Sequence, residues 1–340
     1  MHETSVADEI EQIEMDRPHV VLLGAGASRA ALPDGDANGR HLPLMSDFAD
    51  IVPVGEVFAA AGISYVGRNF EELYSELCTD PGYKDVLVTL ERVIFTYFSS
   101  LSLPSKPTLY DHLILSLRKK DVVATFNWDP FLIQAIRRNR IEQGQMPSVL
   151  FLHGNVAAGY CRRDNVHGVR GATCSRCGKL FESSKLLYPV AAKQYDDDPA
   201  IADAWRMAKV SFKSAFMVTI FGYGAPKSDL SAIDLLLNAW GGAQARPMEQ
   251  FEIIDVRSEE DLLKTWQRFI HTHHYEVHST AYDSWLFNHP RRSGEAYINQ
   301  YLNALFIENN PIPRGNTFDE MWEWFSPLVE RERKVPESSD

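Results

Sequence analysis

The chain has 340 residues, 45% of them apolar and 24% charged, with 46 acidic against 34 basic side chains and a net charge of -12. That is the make-up of an ordinary globular protein with about two domains' worth of chain. It argues against broad electrostatic binding of nucleic acid or of an anionic membrane. The opening segment, Met1 to Glu9, has no positive n-region and no apolar h-region, so no signal peptide is expected. Glu91 and Arg92 interrupt the longest apolar run, short of the roughly 20 residues that cross a bilayer. A cytoplasmic protein is expected, and its four cysteines fit that compartment. Cys78 stands alone in a helical pattern and is expected in the core, whereas Cys161, Cys174 and Cys177 cluster.

After an acidic arm over residues 1–17, the unbroken apolar run Val20 to Leu23 predicts a strand buried on both faces of a parallel sheet. It ends in Gly24-Ala25-Gly26-Ala27-Ser28-Arg29, where two glycines allow a sharp turn and Ser28 and Arg29 open a helix whose positive end suits an anion. The dinucleotide fingerprint of hydride-transfer enzymes wants a third glycine where Arg29 stands and a second strand soon after. Residues 31–40 instead read as a loop rich in turn formers. Residues 46–118 read as mostly helical, a layer inserted between the first and second strands.

The second strand, Val122 to Phe126, runs into Asn127-Trp128-Asp129-Pro130, with Pro130 expected to open a helix. Asp129 is read either as a helix cap or as a ligand-facing group. The third strand, Val149 to Leu152, ends in His153-Gly154-Asn155. Ligands of open α/β sheets sit at the carboxyl ends of the strands, so Asn127 and His153 are expected on the same functional edge. Two more strands, Ala215 to Phe221 and Phe251 to Ile254, end in Gly222-Tyr223-Gly224 and in Asp255-Val256. Helical patterns follow each, over 230–240 and 259–270. The alternation predicts a doubly wound parallel α/β sheet.

Cys174-Ser175-Arg176-Cys177 is half of a zinc knuckle, and Cys161 lies 13 positions before it. Zinc is expected on three cysteines with His167 or Asp164 as the fourth ligand, His167 being preferred because imidazole binds zinc better. Beyond residue 270 a mostly helical extension to 340 is expected. His274, Glu276 and His278 alternate as in a short half-buried strand. Trp322, Trp324 and Phe325 are too closely spaced for one core stripe and suggest an oligomer or partner surface.

The motifs taken in order, Gly24 to Ser28, Thr125 to Asp129, His153-Gly154, the cysteine cluster, Phe221 to Pro226 and Ile254 to Val256, resemble the sirtuin superfamily over residues 18–256. The resemblance implies a Rossmann-like NAD-binding domain over 18–270, with a helical insertion at about 40–118 and a small zinc module at about 156–187. It further implies Asn127 and His153 as catalytic residues. Gly24, Ala25, Gly26, Ser28 and Arg29 would bind the pyrophosphate and nearby ribose, with Thr125 and Asp129 beside them. Gly222 and Tyr223 would line the cleft, and Asp255 and Val256 would border the adenosine end. The acyl-lysine deacylases carry a Phe-Gly-Glu type peptide-pairing strand after the metal module, where this chain has Leu186 to Lys193. That departure resembles bacterial sirtuin-like domains of anti-phage systems, which consume NAD. It implies NAD hydrolysis by a regulated effector, expected as a homo-oligomer with a co-encoded partner such as a translocase-type ATPase. A lysine deacylase and a non-catalytic NAD or ADP-ribose sensor are the alternatives.

Overall fold

The structure is a computed structural model and describes residues 3–190 and 193–334. Six parallel strands make the main sheet, in spatial order Tyr275–His278, Gln250–Ile254, Met217–Phe221, His19–Leu23, Val122–Thr125 and Ser148–Phe151. The sheet's own first three strands in sequence step outward one way and its last three the other. This is the doubly wound arrangement, whose crevice opens where the order reverses, between His19–Leu23 and Met217–Phe221.

Period-two alternation splits the strand residues between two cores. Val21, Leu23 and Val123 pack with the helical layer on one face, with Phe48, Phe58, Phe70, Leu90 and Ile94. Val20, Leu22, Ala124, Val218 and Ile220 pack on the other with Trp205, Phe212, Leu236, Trp240 and Trp266. Burial on both faces explains why these strands read as continuous apolar runs. The expected helical layer is present as helices at Phe48–Ile51, Gly55–Ala60, Phe70–Leu77, Lys84–Ser99 and Leu109–Leu115. Cys78 is exposed rather than in the core, because it caps Phe70–Leu77 one position past buried Leu77. Pro130 is the cap of the Phe131–Arg138 helix rather than its first residue.

The sheet continues past residue 270. Tyr275–His278 pairs in parallel with Gln250–Ile254, so the boundary expected there falls inside the sheet. Its polar side chains find buried partners: His278 Nε2 lies 3.3 Å from carboxylate oxygens of both Glu252 and Glu276. Glu252 also accepts from the Trp285 backbone N–H and from Thr219 Oγ1, each at 2.8 Å. His19 hydrogen-bonds Thr219 at 2.7 Å and Ser293 at 2.8 Å.

The residues after this strand are pinned by charge. Arg291 and Arg292 are buried, and both pair with Glu332 of the Phe318–Arg333 helix at 2.6 and 2.7 Å. The acidic arm is docked rather than free. Glu3–Thr4 pairs in parallel with Phe306–Ile307, and buried Glu9 meets His289 at 2.9 Å. Phe325 is fully buried, and Trp322 donates to Asn139 at 2.9 Å beneath the Arg140 guanidinium. The aromatic cluster that suggested a partner surface thus packs largely against this chain. Among the described residues no helix is long and apolar enough to cross a membrane.

Candidate functional site

Two glycine loops meet where the strand order reverses. Gly24 N donates to Phe221 O at 3.0 Å and Gly26 N to Gly222 O at 2.9 Å. A Cβ on Gly24 would lie 2.5 Å from Tyr223 Cα, and one on Gly222, where φ is +59°, only 2.2 Å from Ala27 N. Glycine is therefore demanded by backbone contact between the loops before any ligand is considered.

Asn127 and His153 emerge beside this junction. Thr125 and Phe151 are register partners, and each site residue lies two positions beyond one of them, on the same sheet edge. Asn127 Nδ2 donates to Gly24 O at 2.9 Å and to Ser28 Oγ at 3.0 Å, while its backbone N–H donates to Thr125 Oγ1 at 3.0 Å. Ser28 Oγ in turn donates to Asp129 Oδ2 and bonds Tyr110 OH, both at 2.6 Å. Asp129, one position before the Pro130 cap, also accepts from Phe131 N at 3.3 Å, so it meets the first turn of the following helix and the site at once. Burial lifts its carboxyl to about 6 despite the Ser28 bond.

His153 is 6% exposed, with the Phe126 ring edge-on at 4.6 Å and Tyr195 stacked at 6.1 Å. Burial pushes the imidazole down to about 4, with Asp229 pulling it up and Lys193 pushing it down, so it is neutral at pH 7. Its Nε2 has no hydrogen-bond partner. Gly154 follows at φ +74°, where a Cβ would stand 1.8 Å from Lys185 O; the glycine lets that backbone close over the strand end.

Other expected residues fall differently. Tyr223 is buried, stacks on Phe126 at 4.2 Å, and donates to Asp229 Oδ2 at 2.8 Å. Ala25 is half-buried at the start of the short Ala25–Ala31 helix. Arg29 points away from the strand edge, bonding Leu42 O at 2.7 Å and Asp47 at 2.6 Å. Asp255 accepts from Arg257 at 2.8 Å, and Val256 is 90% exposed at the far end. Tyr110, Asn155, Lys193 and Asp229 join the site without having been singled out in the sequence. Asn155 alone carried a signal, two residues beyond His153; it donates to Asp129 O at 2.5 Å. A cavity of about 320 Å³ lies at the other end of the Ala25–Ala31 helix, between Leu32–Gly35 and Pro104–Leu109, and does not include Asn127 or His153.

The small module is a three-stranded antiparallel sheet of Ala158–Cys161, Val166–Val169 and Glu182–Ser183. Cys161, Asp164, Cys174 and Cys177 bring ligand atoms within 4.8 Å of one another. Cys161 Sγ and Cys177 Sγ are 3.5 Å apart, close to the about 3.7 Å edge of a tetrahedron with zinc–sulfur bonds of about 2.3 Å. Three thiols and a carboxylate thus fit a structural zinc ion. His167 lies outside the set, contrary to expectation. It faces Tyr160 across the strands while Cys161 faces Val166, so pleat alternation sends it to the opposite side, where it meets Asp203 at 3.0 Å. Asp164 takes the fourth place.

No protein-family model matches the chain, and no curated protein matches it. Among solved structures it is similar to a substituted Sir2 homologue in complex with ADP-ribose, at 12% identity and a TM-score of 0.38, over 96% of this chain and 97% of that one. It is similar also to a Sir2 homologue in complex with NAD, at 13% identity and a TM-score of 0.37, over 87% and 98%. A third, solved for the mechanism and regulation of Sir2 enzymes, has 14% identity and a TM-score of 0.37, over 97% of each chain. Likenesses this distant leave the chemistry to be read from the chain's own side chains.

Proposed function

We propose that this chain hydrolyses NAD to nicotinamide and ADP-ribose at the strand edge carrying Asn127 and His153. The observation that carries the reading is a neutral, buried imidazole nitrogen without a partner, on the same sheet edge as a carboxamide fixed to a glycine turn. Cleavage of the nicotinamide bond at the ribose anomeric carbon passes through an oxocarbenium-like state; water's oxygen then bonds to that carbon and its proton leaves. His153 supplies the base for the water or for a ribose hydroxyl, and Asn127 orients the sugar. Both side chains are under 9% exposed, so the residues covering them move aside when substrate enters.

Water is favoured over an acyl-lysine acceptor by the segment after the zinc module. Leu187 N donates to His153 O at 2.9 Å, and Pro189 O accepts from Ser75 at 2.7 Å. Tyr188 packs between Tyr74 and Trp128 at 5.4 and 5.2 Å. These bonds leave little of a free edge on which a peptide could add as a strand. The sequence resemblance to anti-phage domains extends the proposal to a regulated effector.

The test is nicotinamide and ADP-ribose release from NAD without peptide, beside Asn127→Ala and His153→Ala. Peptide-independent release lost in both variants is expected. Release that appears only with an acyl-lysine peptide, or none under either condition, would overturn hydrolysis.

A further inference from the structure

Next to His153 lies a buried ion pair that glycosidic cleavage alone does not require. Lys193 Nζ bonds Asp229 Oδ1, and it also donates to Ser228 Oγ at 3.1 Å and Ser228 O at 3.2 Å. The two charged side chains are only 2% and 5% exposed. The other carboxylate oxygen accepts from Tyr223 OH at 2.8 Å, and Glu71 reaches the same turn by accepting from Ser228 N at 2.9 Å. Asp229 Oδ1 stands 3.7 Å from His153 Nε2, beyond hydrogen-bond range. Phe126 and Tyr195, the rings packed on the imidazole, bring it no second charge.

The three side chains come from separate parts of the chain. His153 follows the third strand, Lys193 follows the segment beyond the zinc module, and Asp229 ends the Lys227–Asp229 turn after the second glycine loop. A lysine is costly to bury unless it is paired. Among the described residues the paired carboxylate is the acid that faces the imidazole, so the lysine competes with His153 for the same oxygen.

We propose that Lys193 is a positioning residue that holds Asp229 off His153, keeping the imidazole neutral and its Nε2 free to take a proton from substrate or water. This rests on the reading of His153 as the base. Without the ammonium, Asp229 turns the short distance to His153 and closes an ion pair with it. The imidazole is then charged at neutral pH, and its Nε2 is occupied.

The experiment follows the His153 Cε1–H resonance against pH in the full chain labelled at histidine, with His153→Ala assigning the signal. Lys193→Met is expected to raise the His153 midpoint by about one to three pH units. Lys193→Gln, which keeps a donor to Asp229 without the charge, is the second variant and moves the same way. Lys193→Arg restores the low midpoint, and so does Lys193→Met combined with Asp229→Asn. The acid limb of NAD turnover moves with the resonance. A His153 midpoint unchanged in folded Lys193→Met or Lys193→Gln protein overturns the proposal, whatever happens to turnover. The expected shifts without NAD turnover in the parent protein would leave the positioning intact and remove the NAD reading.

Discussion

The Asn127 side-chain amide donates to the Gly24 carbonyl at 2.9 Å, which ties the exit of the second strand to the turn after the first. The same amide reaches Ser28, so the residue we propose to orient the ribose also holds the glycine turn in position. Asn127→Ala is expected to lower nicotinamide release by about 100-fold or more. It should also cost about 1–3 kcal/mol of stability, because buried partners lose their donor. Denaturant unfolding beside the activity assay separates the two effects; an unchanged unfolding midpoint would contradict the bonding described.

Gly222→Ala should destabilise the fold by more than about 2 kcal/mol, since a Cβ there meets the Ala27 backbone at 2.2 Å in a left-handed conformation. Gly39→Ala is the control. Its φ is +74° but nothing lies within 4 Å of the new methyl, so only the conformational penalty of about 1 kcal/mol applies. Equal losses in urea unfolding would show that backbone crowding at the loop junction is unimportant.

Zinc content should follow Asp164 and not His167. Asp164→Ala is expected to weaken zinc binding on the order of 100-fold, and His167→Ala to leave it unchanged. Metal analysis of purified protein, with chelator competition, reads both. Retention in Asp164→Ala and loss in His167→Ala would reverse the ligand assignment.

Stability should peak near pH 6.5 and fall on both sides. His19, His112 and His153 are each pushed by burial from an ordinary 6.5 to about 4. Between those values the unfolded chain binds the proton and the folded one does not, so stability is lost as pH falls through that window. Asp129, lifted by burial to about 6, partly offsets this loss. On the alkaline side the group is His278: burial lowers it, but the Glu252 and Glu276 carboxylates beside it outweigh that and raise it to about 10. The folded state alone holds that proton above 6.5, and its contribution is lost as pH rises toward 10. Thermal melts across this range check the shape, and His278→Gln should flatten the alkaline limb.

The parallel sheet was legible because strands buried on both faces leave unbroken apolar runs, and the shared edge of Asn127 and His153 followed from where those runs stop. Residues whose placement depends on pairing register were not legible. His167 and Asp164 are three positions apart, and only the pairing of Tyr160 with His167 decides which of them faces the cysteines. Tyr275–His278 is the half-buried strand its alternation suggested, but its place on the edge of the main sheet, with polar partners on the neighbouring strand and in the C-terminal region, was not legible. Lys193 and Asp229 meet only through the fold, and neither carries a spacing that points to the other. Arg29 was expected beside the pyrophosphate as the residue after the motif, yet its long side chain found acceptors at Leu42 and Asp47.

The contact of Gly24 and Gly26 with Gly222 and Tyr223 has a mechanical consequence. A Cβ on Gly24, Gly26 or Gly222 would already clash across the junction, so the packing leaves one turn little room to shift without the other. The Tyr223 hydroxyl links the second turn to Asp229, whose Oδ1 lies 3.7 Å from His153 Nε2. On the reading proposed above, a molecule entering beside the first turn would act on the surroundings of His153 through these same contacts.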